Sequence, residues 1–172
     1  MHIAVTGPES TGKTILCEKL ARYYGTKYIP EYARDYIIRL RRPYNYDDVL
    51  HIAEKQLELV NEYAEDARNF LFYDTWLIIT KVWFDVVYGH YPPWIDRKLA
   101  EHKIDLYLLC APDIPWEPDP VRENGGKMRE VLFKRYITEL NYYHCKYHII
   151  SGENRSDQAI KQIDNLQLQV KI

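Results

Sequence analysis

Short apolar runs alternate along the chain with longer stretches in which apolar residues recur every three or four positions. That alternation predicts an α/β fold on a parallel sheet. The runs His2–Thr6, Lys27–Pro30, Phe70–Asp74, Asp105–Cys110 and Tyr147–Ile150 predict strands. Between them, Lys13–Tyr24, Glu31–Leu40, Asp47–Asn69, Trp94–Lys103, Lys127–His144 and Ser156–Val170 predict helices. The strongest helical pattern is Asp47–Asn69, where Val49, Ala53, Leu57, Val60, Ala64 and Ala67 repeat with charges between them. Thr75–Tyr88 is apolar nearly all round and reads as strand or helix. Its length and its lack of Gly or Pro favour a buried helix. Ala111–Gly126 carries four prolines and two glycines and predicts a loop.

Directly after the first strand and before the first helix stands Gly7-Pro-Glu-Ser-Thr-Gly12-Lys13-Thr14, which fits the phosphate-binding pattern G-x-x-x-x-G-K-[ST]. Gly7 and Gly12 permit a tight turn that brings the amides of Glu9, Ser10 and Thr11 against phosphate oxygens. The helix opening at Lys13 adds free N–H groups and the positive end of its dipole. Lys13 is expected on the β- and γ-phosphates of ATP, and the Thr14 hydroxyl on Mg²⁺. The expected architecture is therefore a three-layer α/β/α P-loop NTPase fold with a five-stranded parallel sheet, residues 1–172 forming one domain.

Parallel sheets bind ligands at the carboxyl edge of their strands. Asp74 ends the third predicted strand, where it suits either metal support or a helix N-cap. Glu31, Arg34 and Asp35 follow the second strand and are expected to share a helix face. They suit an acceptor clamp and a base for an attacking hydroxyl, or a surface ion pair. After Asp74 comes Thr75 rather than the second acid of a motor-type hydrolase, and no N-K-x-D guanine-reading motif is present. Both features favour transfer to an organic acceptor. Residues 111–126 occupy the position of a closing lid, with Arg122 and Arg129 as candidate phosphate ligands, or as solvated surface arginines. Tyr32, Tyr36, Tyr44, Tyr46 and Trp76 are candidates to stack on a planar acceptor, or core residues.

A formal net charge of −2 argues against a nucleic-acid footprint. No apolar run is long enough to span a bilayer, and no leader pattern precedes the first strand. Cys17, Cys110 and Cys145 are scattered and read as reduced, buried thiols of a cytoplasmic protein. Homo-oligomerisation stays open.

Taken together, Gly7–Thr14, Glu31-Tyr-Ala-Arg-Asp-Tyr36, Tyr73-Asp-Thr75 with Thr80 downstream, and the spacing Trp116…Asp119…Arg122 resemble the ribosylnicotinamide kinase domain of NadR-type bacterial proteins. The resemblance spans essentially the whole chain. It implies transfer of the ATP γ-phosphate to the 5′-hydroxyl of nicotinamide riboside, with Glu31, Tyr32, Arg34, Asp35 and Trp76 at the acceptor. The chain is too short for the further domains fused in some such proteins. Two departures bear on the acceptor: Trp76 replaces the second acid of Asp-Thr-Asp, and Asp119-Pro-Val-Arg122 replaces Asp-Gly-x-Arg. The alternatives are a kinase for another nucleoside or nucleotide, and an ATP-dependent regulatory module that transfers nothing.

Overall fold

The computed structural model describes residues 1–64 and 69–170. Strands β1 (His2–Thr6), β2 (Tyr28–Ile29), β3 (Leu71–Asp74), β4 (Leu106–Cys110) and β5 (Tyr147–Ile150) form one parallel sheet in the order β2-β3-β1-β4-β5. Central strands of such a sheet are covered on both faces, which is why β3 and β4 read as continuous apolar runs. The chain passes from β1 to β2, returns to β3 beside β1, and then crosses β1 to β4. This reversal opens a crevice at the carboxyl ends of β1, β3 and β4.

Residues alternate between the two faces along β1. Ile3 and Val5 pack with Leu16, Cys17 and Leu20 of α1 (Lys13–Tyr23) and Ala159 and Ile163 of α7 (Arg155–Val170). Ala4 faces the other way, toward Val49 and Ala53 of α3 (Tyr46–Ala64), Ile78 and Phe84 of α4 (Leu77–Tyr88), and Leu132 and Tyr136 of α6 (Lys127–Tyr142). Two short helices, α2 (Tyr32–Leu40) and α5 (Trp94–Glu101), complete the set. The expected three-layer P-loop architecture is present.

Several boundaries differ from expectation. β2 shrinks to two residues, and Glu31 sits extended ahead of α2. The ambiguous stretch after Asp74 is a helix, but it starts only at Leu77, because Thr75 turns left-handed (φ 72°) and Trp76 is extended. The predicted continuation of α3 falls on residues 65–68, including Ala67, which lie outside the described residues; Asn69 is not helical.

α4 is apolar nearly all round because α3, α5 and α6 all pack against it. Its one buried cation, Lys81, lies 2.5 Å from Glu139 and 2.9 Å from the Tyr143 hydroxyl, with the Tyr91 and Tyr143 rings under 5 Å away. So satisfied, a lysine can stay inside at little cost. Among the described residues no helix is long and apolar enough to cross a membrane.

Candidate active site

The turn after β1 needs glycine at position 7 for two reasons. Its φ is 137°, and a Cβ there would lie 2.5 Å from the Cys110 carbonyl oxygen of β4. Ser10 (φ 54°) and Gly12 (φ 74°) are also left-handed, and the loop delivers the chain to α1 with no side-chain cap on its first turn. The leading N–H groups of α1 are therefore open to an anion. Two side chains staple the loop: the Thr11 hydroxyl and the Lys13 ammonium each donate to the Pro8 carbonyl at 2.8 Å.

Beneath this loop Asp74 ends β3 opposite Val5, almost wholly buried, and its Oδ1 has no hydrogen-bond partner among the described residues. Burial pushes its carboxyl up to about 6, and the charge of Glu31 pushes the same way, while the Thr14 hydroxyl and the Lys13 charge pull it back. Glu31, Asp74, Lys13 and Thr14 thus occupy one electrostatic neighbourhood.

Lys13, Thr14 and Glu31 line a cavity of about 260 Å³, while Asp74 lies outside its lining. It is lined by residues 7 and 9–15 of the phosphate loop and α1, by the charged Glu31, Arg34 and Arg122, and by an apolar group that includes Ile37, Tyr44, Ile79, Trp83 and Val86. The β4–α6 connection covers the loop. Glu9 accepts from the Asn124 backbone N–H at 2.9 Å and from its side-chain amide at 3.0 Å. Arg34 pairs with Asp119, and the Val121 N–H together with this guanidinium holds the Asp119 carboxyl below its usual range. The Arg122 guanidinium donates to the Glu117 carbonyl at 2.6 Å.

The cavity brings together Gly7, Glu9, Ser10, Thr11, Gly12, Lys13, Thr14, Glu31, Arg34 and Arg122, all anticipated from the sequence. Seven anticipated residues lie off its lining. Asp74 is buried at the end of β3, the Tyr36 hydroxyl donates to Asp48 at 2.8 Å, and the Tyr46 ring stacks on His90 at 4.9 Å. Tyr32 turns to α3, its hydroxyl 3.0 Å from His51 Nε2. Asp35 is exposed and sits 3.6 Å from Arg39. Each residue turns a helix by about 100°, so the face of α2 carrying Arg34 and Ile37 excludes Asp35. Trp76 has no exposed surface; its ring packs against Tyr73 and His102 in the core. Arg129 is 6% exposed and donates to the carbonyls of Ile114 (3.0 Å) and Ser10 (2.8 Å), a clamp between the connection and the loop.

Sequence reasoning missed Trp83, Glu123 and Arg155. Trp83 was hidden in the uniform apolarity of α4. Arg155, the first residue of α7, donates to the Thr11 carbonyl at 3.0 Å and the Ala111 carbonyl at 3.1 Å and pairs with Asp113, which no local pattern signals.

The AAA domain family matches residues 2–157. The trifunctional NAD biosynthesis/regulator protein NadR of Salmonella typhimurium is 27% identical over 142 residues, covering 80% of this chain and 35% of that protein. NadR of Escherichia coli gives the same figures. A solved NadR structure in complex with NR superposes with a TM-score of 0.84 at 22% identity, covering 96% of this chain and 51% of that one. Deoxyadenosine kinase from M. mycoides superposes with a TM-score of 0.66 at 14% identity, covering 98% and 100%. The chain thus spans about a third of the length of the curated relatives. Its fold is that of P-loop kinases, and with residues 2–157 matched, phosphate loop and β3 acid included, the chain belongs to the AAA domain family.

Proposed function

We propose that this chain is a kinase moving the γ-phosphoryl group of ATP to the 5′-hydroxyl of nicotinamide riboside, giving nicotinamide mononucleotide and ADP. One observation carries the reading: a single cavity is lined by the phosphate loop, by an apolar aromatic group and by the carboxylate of Glu31. The relatives named for NAD biosynthesis and the NR-bound neighbour support the choice of acceptor.

The residues present fit Mg²⁺. Thr14 offers a hydroxyl and Asp74 a buried carboxylate oxygen without a partner, both hard oxygen donors. Among the described residues there is no group of three or more His, Cys, Asp or Glu able to hold a metal. That suits an ion which keeps several waters and takes its other ligands from phosphates. When bound, it neutralises charge on the β- and γ-oxygens.

The protein does the rest. The loop amides and Lys13 hold the triphosphate. Glu31 takes the proton of the 5′-hydroxyl as its oxygen bonds to the γ-phosphorus and the bond to the bridging oxygen breaks, releasing ADP. Arg122 supports charge on the transferred group. Residues 111–126 act as the lid, and the 172 residues work as one kinase domain in the cytoplasm, where free Cys17, Cys110 and Cys145 stay reduced. The partner is the small-molecule riboside rather than a nucleic acid.

A kinase assay over a panel of nucleosides tests this. Nicotinamide riboside is expected to be the preferred acceptor, and Lys13→Ala to lose at least ~100-fold in turnover with the fold retained. Intact ATP binding with no riboside phosphorylated would overturn the reading. A second reading, a kinase for another nucleoside, draws on Trp76, which fills the core where the resembling domains carry an acid.

A further inference from the structure

Resting on that reading, we infer that the apolar lining around Tyr44 and Trp83 seats the flat base of the acceptor, and that Glu123, carried by the lid, selects a base bearing positive charge. Trp83 of α4 and Tyr44 of the α2–α3 loop both line the cavity, their rings edge to face at 4.9 Å and 78°. The Tyr44 hydroxyl donates to Glu123 at 2.9 Å, fixing the carboxylate beside the two rings.

The other carboxylates lining the cavity are Glu9 and Glu31. Glu9 is held by Asn124, Arg34 by Asp119, and Glu31 lies with Asp74 and Lys13 near the phosphate loop. Glu123 is therefore the lining carboxylate that stands with the aromatic pair. A neutral nucleobase is read by amides that donate and accept together. Asn124 is the one amide side chain among the lining residues, and its amide nitrogen is bonded to Glu9. Two electron-rich rings and a carboxylate, beside a single amide already engaged by Glu9, suit a planar cation instead.

Arg122 and Glu123 are consecutive, so the movement that brings one to the phosphate brings the other to the base. The lid then reads both substrates at once.

Calorimetric titration of the full chain loaded with Mg²⁺ and AMP-PNP tests this, using nicotinamide riboside and its reduced, uncharged dihydro form. The unaltered chain is expected to bind the cation at least ~5-fold more tightly, an exposed carboxylate contributing modestly. Glu123→Gln keeps the shape and an acceptor for Tyr44, and should close that gap to within ~2-fold by weakening the cation alone. Trp83→Leu should weaken both ribosides by ~10-fold while AMP-PNP binding holds. Equal affinity of the unaltered chain for the two forms, equal losses in Glu123→Gln, or no binding of either riboside would each overturn the inference. The kinase reading is judged separately: phosphorylation of any nucleoside by the unaltered chain keeps it standing whichever way the ratio falls.

Discussion

At Asp74 burial and the Glu31 charge both favour the protonated carboxyl, and the opposing pull of Thr14 and Lys13 leaves it at about 6. Its unfolded value is near the ordinary 3.8. The folded chain therefore binds this proton more tightly than the unfolded chain does. The resulting stability is fully present below pH 3.8 and is lost as pH rises through about 6. Ionised Asp74 then destabilises the ligand-free protein by roughly 3 kcal/mol, two pKa units' worth. Asp74→Asn should accordingly make the nucleotide- and magnesium-free protein more stable at pH 8, and the gain should vanish below pH 4. Urea unfolding of both proteins at several pH values measures this; a gain independent of pH would exclude ionisation as its source. A residue that destabilises the empty protein at neutral pH is the kind retained for a ligand.

The β4–α6 connection, by contrast, lies over the phosphate loop through a few polar groups. Arg129 alone holds the carbonyls of Ile114 and Ser10, and Ser10 is a non-glycine residue at φ 54°. Hydrogen bonds from a charged donor stabilise by ~1.5–3 kcal/mol each, and a left-handed serine persists only when its surroundings hold it. Arg129→Met should let residues 111–126 open, raising protease cleavage within that segment by ~10–100-fold while the sheet stays protected. Cleavage no faster than in the parent would assign the docking to Glu9–Asn124 and Arg34–Asp119 instead.

This element also marks where the sequence stops being legible. Strand runs, the helical stripe of α3 and the loop Gly7–Thr14 were readable because each is set by local period or spacing. The α2 face was misjudged because Glu31 precedes the helix, so counting from it rotated Asp35 toward the cavity. Trp76 was misplaced because an aromatic after an acid looks alike in a pocket and in a core. Glu123 and Arg155 gave no local signal, since their meaning comes from partners 79 and 144 positions away.

For the whole molecule, the site is assembled from the bend after β1, the acid ending β3, α1, α2, α4, α6 and the long connection, so nothing resembling it survives unfolding. Gly7 touches β4, Arg155 ties the loop to α7, and Glu9 ties it to the connection. A nucleotide bound there binds the native state alone, and its binding energy becomes folding energy. At one hundred times its dissociation constant the gain is about 2.7 kcal/mol. For a chain of this size each kcal/mol moves the melting temperature by ~2–4 °C, so Mg-ATP should raise it by ~5–10 °C. Lys13→Ala should lose most of that shift, because the variant keeps the fold but not the cation that holds the phosphates. Gly7→Ala should behave differently. Its Cβ collides with the Cys110 carbonyl, so the ligand-free protein itself should melt earlier and the shift should disappear as well. Thermal melts of the three proteins with and without Mg-ATP separate a lost contact from a lost fold. An equal ligand shift in all three would mean that the nucleotide binds somewhere other than the bend after β1.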